Sequence, residues 1–334
     1  MGHAVISCNT NPATKLAAVE HQRLPIASHR VQLCGVFPRH VVAQNRILDL
    51  QQVTRRTSAF TWRTFVSKLP EYEIFAIRYA KQDKRPEGHM FLGGDHRKLI
   101  QGLDFFTYAL RGGGRTWVVD TGMTARQSTR MGRAYDFICR PKEALAKIGI
   151  DAATEPDVIL THAHFDHVGT LEDYPKARFH IQDEEMIHVT GRDMTHPTFR
   201  AAYHADDIKP LIDLIYAGRM VFHRGDVPLA PGIEYLLVGG HARGQAVLRV
   251  HTARGWVILA SDAVHVFEEI DEERPFAVFY DLPGMLEGYR RIKHLAGDRE
   301  LVIPGHDARV TMAYPAAAAG LEGQVLRLDK PPTW

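Results

Sequence analysis

The sequence predicts an α+β fold in which two β-sheets pack together with helices on the outside. Three observations predict it. Runs of β-forming residues come in two groups, with a helix or two in the first half of the chain and the pattern repeated in the second. Two of the early runs are joined by Arg111-Gly112-Gly113-Gly114-Arg115, a Gly-rich turn that marks a hairpin. Several later runs end abruptly in a potential metal ligand, which suggests strand ends converging on one edge of a sandwich.

In chain order, residues 1–70 differ from the rest of the chain. They carry nine Lys/Arg against two acids, Glu20 and Asp49, with poor hydrophobic periodicity. The composition resembles an organelle transit peptide. The plainer reading, preferred here, is a flexible extension or residues added by an upstream start codon. Order begins near Tyr72. Tyr72–Ala80 is rich in β-formers and predicts a strand, Lys81–Gly102 a polar loop, and Phe105–Leu110 and Thr116–Val119 the hairpin. The hairpin ends in Asp120-Thr121-Gly122. Asp120 either caps that turn or accepts a hydrogen bond from a ligand histidine and so fixes its tautomer. Pro141–Gly149 is a short helix with Pro near its start and Gly at its end. Strands come next at Asp157–Leu160 and Ala177–Ile181, then a helix from Asp183 to Val189 with acids in its first turn. Thr190–His204 is irregular, and Asp206–Ala217 is helical. Four strands are predicted at Met220–Phe222, Ile233–Val238, Ala246–Val250 and Trp256–Ala260. A helix over Pro283–Ala296 and a strand at Leu301–Ile303 close the domain, set at 71–310, and 311–334 is a tail of unclear structure.

Composition excludes several classes. The chain has 334 residues, 45% hydrophobic and 24% charged, as expected of a globular protein. A net charge of +2 offers no bulk attraction to nucleic acid or anionic membrane. Cys8, Cys34 and Cys139 are widely spaced and odd in number, which fits a reducing, cytoplasmic compartment. No apolar run approaches the ~18 residues that a spanning helix needs. There is no Walker A, G-x-G-x-x-G or G-x-S-x-G motif, and Gly112–Gly114 joins two strands, so it is a turn and not a phosphate cradle.

The chemistry concentrates in Thr161-His162-Ala163-His164-Phe165-Asp166-His167-Val168-Gly169. The apolar run Asp157–Leu160 predicts a buried strand that delivers His162, His164, Asp166 and His167 into a loop at its tip. Imidazole and carboxylate suit Zn²⁺ and similar ions. Of the nineteen histidines, others such as His180, His188, His223 and His294 are surface or satisfied core residues. Three later strand ends each add a candidate: His241 in Gly239-Gly240-His241, Asp262 after Ala260-Ser261, and His306 in Pro304-Gly305-His306-Asp307.

This pattern, His-x-His-x-Asp-His followed by Gly-His, an Asp after a strand and a second Gly-His, resembles the metallo-β-lactamase superfamily over about Tyr72 to Asp307. The resemblance implies a four-layer αβ/βα sandwich with a dinuclear site at one edge. It implies that His162, His164 and His241 hold one metal, that Asp166, His167 and His306 hold the other, and that Asp262 bridges them. Zinc is the first expectation; iron, manganese or cobalt would also suit these ligands. Two ions about 3.5–4 Å apart can share a hydroxide formed at neutral pH and polarise a substrate oxygen. Asp166 would also accept a hydrogen bond from that nucleophile.

Two identities narrow the branch. Oxygen-reducing members carry Glu where this chain has His164, and the commonest true β-lactamases carry Cys where it has Asp262. The order Asp262-Ala263-Val264-His265, Glu273–Phe279, a helix and Gly-His-Asp resembles the acyl-homoserine lactonases, which quench bacterial quorum signals. Those enzymes carry Tyr where this chain has His265, whose imidazole could donate a hydrogen bond or act as general acid. The expected function is a dinuclear zinc lactonase acting on a small molecule, with no nucleic-acid or membrane partner. Lactonase-like relatives include dimers, which leaves a homodimer open. A thioester hydrolase of the glyoxalase II type is the alternative, followed by a phosphodiesterase and by a metal-binding protein without turnover. Selectivity is expected from the Lys81–Gly102, Met123–Arg140 and Thr190–His204 loops.

Overall fold

A computed structural model describes residues 68–154 and 157–334. Nearly all of the basic extension therefore lies outside the described residues. The first two strands, β1 (Glu73–Pro86) and β2 (Leu99–Gly112), are each 14 residues long and pair antiparallel along most of their length. A one-turn helix, α1 (Glu87–Met90), lies at the end of the pair. The loop expected over Lys81–Gly102 is thus strand at both of its ends. Lys81 pairs with Asp104 and Pro86 with Leu99. Polar side chains such as Asp83 and Lys84 face solvent there while the backbone still completes its ladder. β3 (Arg115–Val119) pairs back on β2 as predicted. Gly113 and Gly114 make the reversal at φ of 58° and 74°, a region open to glycine without a side-chain clash.

The chain continues through α2 (Ala125–Arg130), β4 (Asp136–Phe137), α3 (Pro141–Lys147), β5 (Asp157–Ile159), β6 (Arg178–Gln182), α4 (Asp183–Thr190), α5 (Ala205–Tyr216), β7 (Met220–His223), β8 (Val227–Ala230), β9 (Ile233–Leu237), β10 (Ala246–Thr252), β11 (Gly255–Ser261), α6 (Phe267–Asp271), α7 (Leu282–Ala296), β12 (Val302–Pro304), α8 (Ala308–Ala313) and β13 (Val325–Arg327). One sheet has the order β13-β1-β2-β3-β5-β6-β7, with β4 also on β1; the other has the order β12-β11-β10-β9-β8. β3, β5, β6 and β7 run parallel, as do β11 and β12. Sequence reasoning did not anticipate β8. β8 tolerates its Pro228 by lying at the edge of its sheet.

Strand alternation explains the layers. On β1, Ile74 and Ala76 point toward the second sheet and pack with Tyr235, Leu248 and Leu259. Phe75 and Ile77 point the other way, into a cluster with Leu145, Met186 and Leu211 from α3, α4 and α5. On the second sheet, Val247, Ile258 and Val302 face outward to Met285, Tyr289 and Ile292 of α7. Helices, sheet, sheet and helices form the four-layer αβ/βα sandwich expected.

The segment 311–334 is folded, contrary to the tail expected there. β13 adds to the outer edge of β1, pairing Phe75 with Arg327 and Ile77 with Val325, and Asp329 Oδ1 accepts from the backbone N–H of Ile74. Val325 and Leu326 are buried, one on each side of the sheet. Three residues are too few to show alternation in a sequence. No helix among the described residues is long and apolar enough to cross a membrane.

Candidate metal centre

β5 lies between β3 and β6, and Val158, Ile159 and Leu160 are fully buried. A parallel strand covered on both faces is apolar throughout, which is why this run shows no alternation. The chain beyond it turns at once: the N–H of His167 donates to the carbonyl of His164 at 2.9 Å. Four further strand ends meet this loop, at Asp120 after β3, His241 after β9, Asp262 after β11 and His306 after β12. Asp120 and Ser261 sit at φ of 59° and 47°, a costly conformation for non-glycine residues, so backbone strain is concentrated at the strand ends of this site.

The seven residues singled out in the sequence form two overlapping groups. His162, His164, His241 and Asp262 make one; Asp166, His167, His306 and Asp262 make the other, and in each the candidate ligand atoms lie within 4.8 Å of one another. His164 Nδ1 is 3.0 Å from His162 Nε2 and 3.0 Å from His241 Nε2. Asp262 divides its oxygens between the groups. Oδ2 is 3.5 Å from His241 Nε2 and 3.9 Å from His162 Nε2, while Oδ1 is 3.1 Å from both His167 Nε2 and His306 Nε2. Asp166 Oδ2 completes the second group, 3.8 Å from His167 Nε2 and 4.0 Å from His306 Nε2.

The ring orientations are fixed from behind. Nδ1 of His241 donates to the Val278 carbonyl at 2.9 Å, and Nδ1 of His306 to the Asp104 carbonyl at 2.8 Å, so each presents Nε2 forward. Asp120 does the same for His167 at 2.8 Å while also accepting from the N–H and hydroxyl of Thr161. Of the two roles weighed for Asp120, the structure thus shows the histidine acceptor, and the carboxylate holds the start of the Thr161 loop in place of capping its own turn.

Two glutamates were not found from sequence. Glu185, fully buried on α4, accepts from the N–H of Ala163 and the Tyr203 hydroxyl through Oε1 and from the N–H of Gly244 through Oε2, at 2.9–3.0 Å. It ties the His162 loop to the His241 loop. A Cβ at Gly244 would stand 2.3 Å from the backbone nitrogen of Glu185, so only glycine fits. Glu269 on α6 accepts from the N–H of His265 and Val266 and from the Tyr289 hydroxyl. In sequence both are unremarkable acids in the first turn of a helix.

The carboxylates make the cluster a favourable place for positive charge, and most of its histidines are neutral. Burial, then neighbouring imidazoles, holds His162 and His164 well below the ordinary histidine range; burial, then His265, brings His241 to about 3. These rings are neutral, the form that binds a cation. Burial opposes a charge on His167, but Asp262, Asp120 and Asp166 outweigh it and raise its pKa well above normal. Burial likewise opposes the charge of Asp262, and His306, His167 and His265 overcome it and hold the carboxyl ionised.

His265 is buried beside this cluster. Its ring stacks on Phe276 with centroids 3.5 Å apart and planes at 8°. Nδ1 is 3.2 Å from Glu269 Oε1, and Nε2 is 3.1 Å from Asp262 Oδ2 without making a hydrogen bond. Burial works against its charge, and Glu269 and Asp262 prevail, placing its pKa at about 9. His164, Asp166, His241, Asp262, His265 and His306 line one cleft, with Phe105, Phe165 and Phe276 on its apolar sides.

These residues fit divalent ions. Tetrahedral zinc with nitrogens at about 2.0–2.1 Å sets its ligands about 3.3 Å apart, close to the spacing of the three histidines. Nε2 of His167 is buried with no hydrogen-bond partner, which a cation would remedy. Among the other histidines, His180 bonds to Asp157 and His223, and His188 to Asp193, as satisfied core residues should.

The sequence model of the metallo-beta-lactamase superfamily matches residues 106–306. An N-acyl homoserine lactonase of Bacillus thuringiensis is 28% identical over 159 residues, which cover 46% of this chain and 58% of that protein. A probable metallo-hydrolase of Mycobacterium tuberculosis is 23% identical over 176 residues, 44% of this chain and 53% of that one. The chain thus spans little more than half the length of these curated relatives. Among solved structures, a quorum-quenching N-acyl homoserine lactone lactonase superposes with a TM-score of 0.60 at 22% identity, covering 72% of this chain and 93% of that one. A probable metal-dependent hydrolase of Staphylococcus aureus gives 0.60 at 14% identity, covering 80% and 97%. At these identities the structures establish the shared fold.

Proposed function

Because this chain belongs to the metallo-β-lactamase superfamily, we propose that it is a metal-dependent hydrolase using two divalent ions, zinc in the first instance, to open a lactone ring or cleave a related carboxylic ester. The observation that carries this reading is the division of Asp262, with one oxygen toward His162, His164 and His241 and the other toward His167 and His306. The lactone is supported by the N-acyl homoserine lactonase among the relatives.

His162, His164 and His241 would hold one ion, Asp166, His167 and His306 the other, and Asp262 both. When bound, the ions supply Lewis acidity at the ester carbonyl and lower the pKa of the attacking water. The chain supplies the rest. Asp166, at the cleft wall, accepts a hydrogen bond from the nucleophile and orients it. His265 cannot swing, clamped between Phe276 and Glu269, and holds a proton at Nε2 toward the departing oxygen. Phe105, Phe165 and Phe276 exclude water around the reacting bond.

Zinc-loaded protein assayed on lactone, thioester and bis-aryl phosphodiester panels, with and without chelator, tests the reading. Lactone or ester hydrolysis lost on chelation, with two ions per chain, is expected. Turnover of thioesters alone would make it a thioesterase. No turnover with both ions bound would leave a metal-binding protein.

A further inference from the structure

The cleft carries a charge that hydrolysis of a neutral lactone does not require. Arg85, near the far end of β1, is 8% exposed and lines the same cleft as the candidate ligands. Arg78, Arg115, Arg130, Arg140, Arg274, Arg309 and Arg327 each have a carboxylate within 4.0 Å. Arg85 has none among the described residues. Its one hydrogen bond runs from Nη2 to the His89 carbonyl at 2.7 Å, and Nε is buried without a partner. A guanidinium has five N–H donors, and burying it unpaired is costly. Burial brings its pKa down to about 10, so it remains charged at neutral pH.

Its surroundings tie it to the same cleft. The guanidinium carbon lies 5.6 Å over the ring of Phe276, the same ring on which His265 stacks. Arg133, exposed and also without a carboxylate partner among the described residues, lines the cleft beside Tyr135. The cleft therefore holds the candidate ligands together with two arginines that have no carboxylate within 4.0 Å among the described residues. Arginine matches carboxylate and phosphoryl oxygens through paired donors.

We propose that Arg85, with Arg133 at the rim, forms an oxyanion-group subsite, and that the substrate is a lactone or ester bearing a carboxylate or phosphoryl group apart from the bond that is cut. The identity of the cut bond rests on the hydrolase reading above; the subsite does not.

Three 4-nitrophenyl esters test it on zinc-loaded protein: the hexanoate, the hydrogen adipate and the 5-phosphonopentanoate, each corrected for spontaneous hydrolysis. An anionic ester should exceed the hexanoate at least tenfold in kcat/KM, mainly through KM, and the better of the two anions identifies the group. Arg85→Met should bring that ratio to about one. Arg133→Glu, at an exposed position where folding is not at stake, should lower it at least threefold. In a binding readout, adipate but not 1,6-hexanediol should raise the melting temperature of the wild type, and adipate should not raise that of Arg85→Met. A wild-type ratio near one, or a ratio unchanged by both substitutions, overturns the subsite while leaving the hydrolase reading intact. No turnover of any ester, with adipate still stabilising through Arg85, overturns the hydrolase reading and supports the subsite.

Discussion

Asp120 Oδ2 and His167 Nδ1 lie 2.8 Å apart, and the same carboxylate holds the backbone of Thr161, where the ligand loop begins. One residue at the end of β3 thus sets both the tautomer of a candidate ligand and the start of the loop that carries it. Asp120→Ala should weaken the second ion about 10–100-fold, the usual effect of losing such a partner. The first ion, held by His162, His164 and His241, should be retained. Competition with a chromophoric chelator would resolve the two affinities, and a first ion weakened more than the second would contradict the division of ligands.

Asp262 serves both groups, so its loss should be felt by both. Asp262→Ala is expected to retain fewer than two ions per chain and to lose nearly all hydrolysis, at least about 10³-fold, a loss of about 4 kcal/mol in transition-state stabilisation. Elemental analysis showing two tightly held ions in that variant would refute a bridging role.

Glu185→Ala would leave the N–H groups of Ala163 and Gly244 and the Tyr203 hydroxyl without their acceptor. Buried groups stranded in this way cost about 1–3 kcal/mol each. A loss of about 3 kcal/mol is expected, read as a lower urea midpoint at unchanged slope. Because the brace joins the His162 and His241 loops, metal affinity should fall with stability.

Asp157 opens β5 and is fully buried among Arg115, Arg178 and His180. Burial opposes its charge, but these three partners prevail and depress its pKa below the usual carboxylate value. The folded chain therefore binds this proton less readily than the unfolded chain. The contribution to stability is present above about pH 4, the unfolded value, and is lost as pH falls through the folded value. Asp157→Asn should remove that acid-dependent component and reduce stability near neutral pH by about 2 kcal/mol, toward the low end for broken ion pairs because the arginines are partly solvated. Urea melts of both proteins between pH 3 and pH 7 would check it.

The candidate ligands were legible because ligand chemistry and strand ends both leave local marks. His162 to His167 cluster after an apolar run, and His241, Asp262 and His306 each follow one. Glu185 left no such mark, since its importance comes from N–H groups supplied by other parts of the fold, including one 59 residues away, and Glu269 looked like any acid at a helix start because its contacts to His265 and Tyr289 matter only once the fold is formed. Arg85 stood in a stretch expected to be loop, and its burial follows from a strand extension that the polar side chains of Lys81–Lys84 concealed. β8 and β13 were missed for opposite reasons: a proline suited only to an edge, and a strand of three residues whose partner lies at the other end of the domain.

That last pairing has a consequence for biosynthesis. Phe75 and Ile77 meet Arg327 and Val325 across about 250 residues of chain. At about 5–20 residues per second, a ribosome that has finished β1 needs roughly 12 to 50 seconds to deliver its outer neighbour. Throughout that interval this edge of β1 can pair with another chain. This edge thus stays open until late in synthesis, after every candidate metal ligand has been made and only the closing strand is missing.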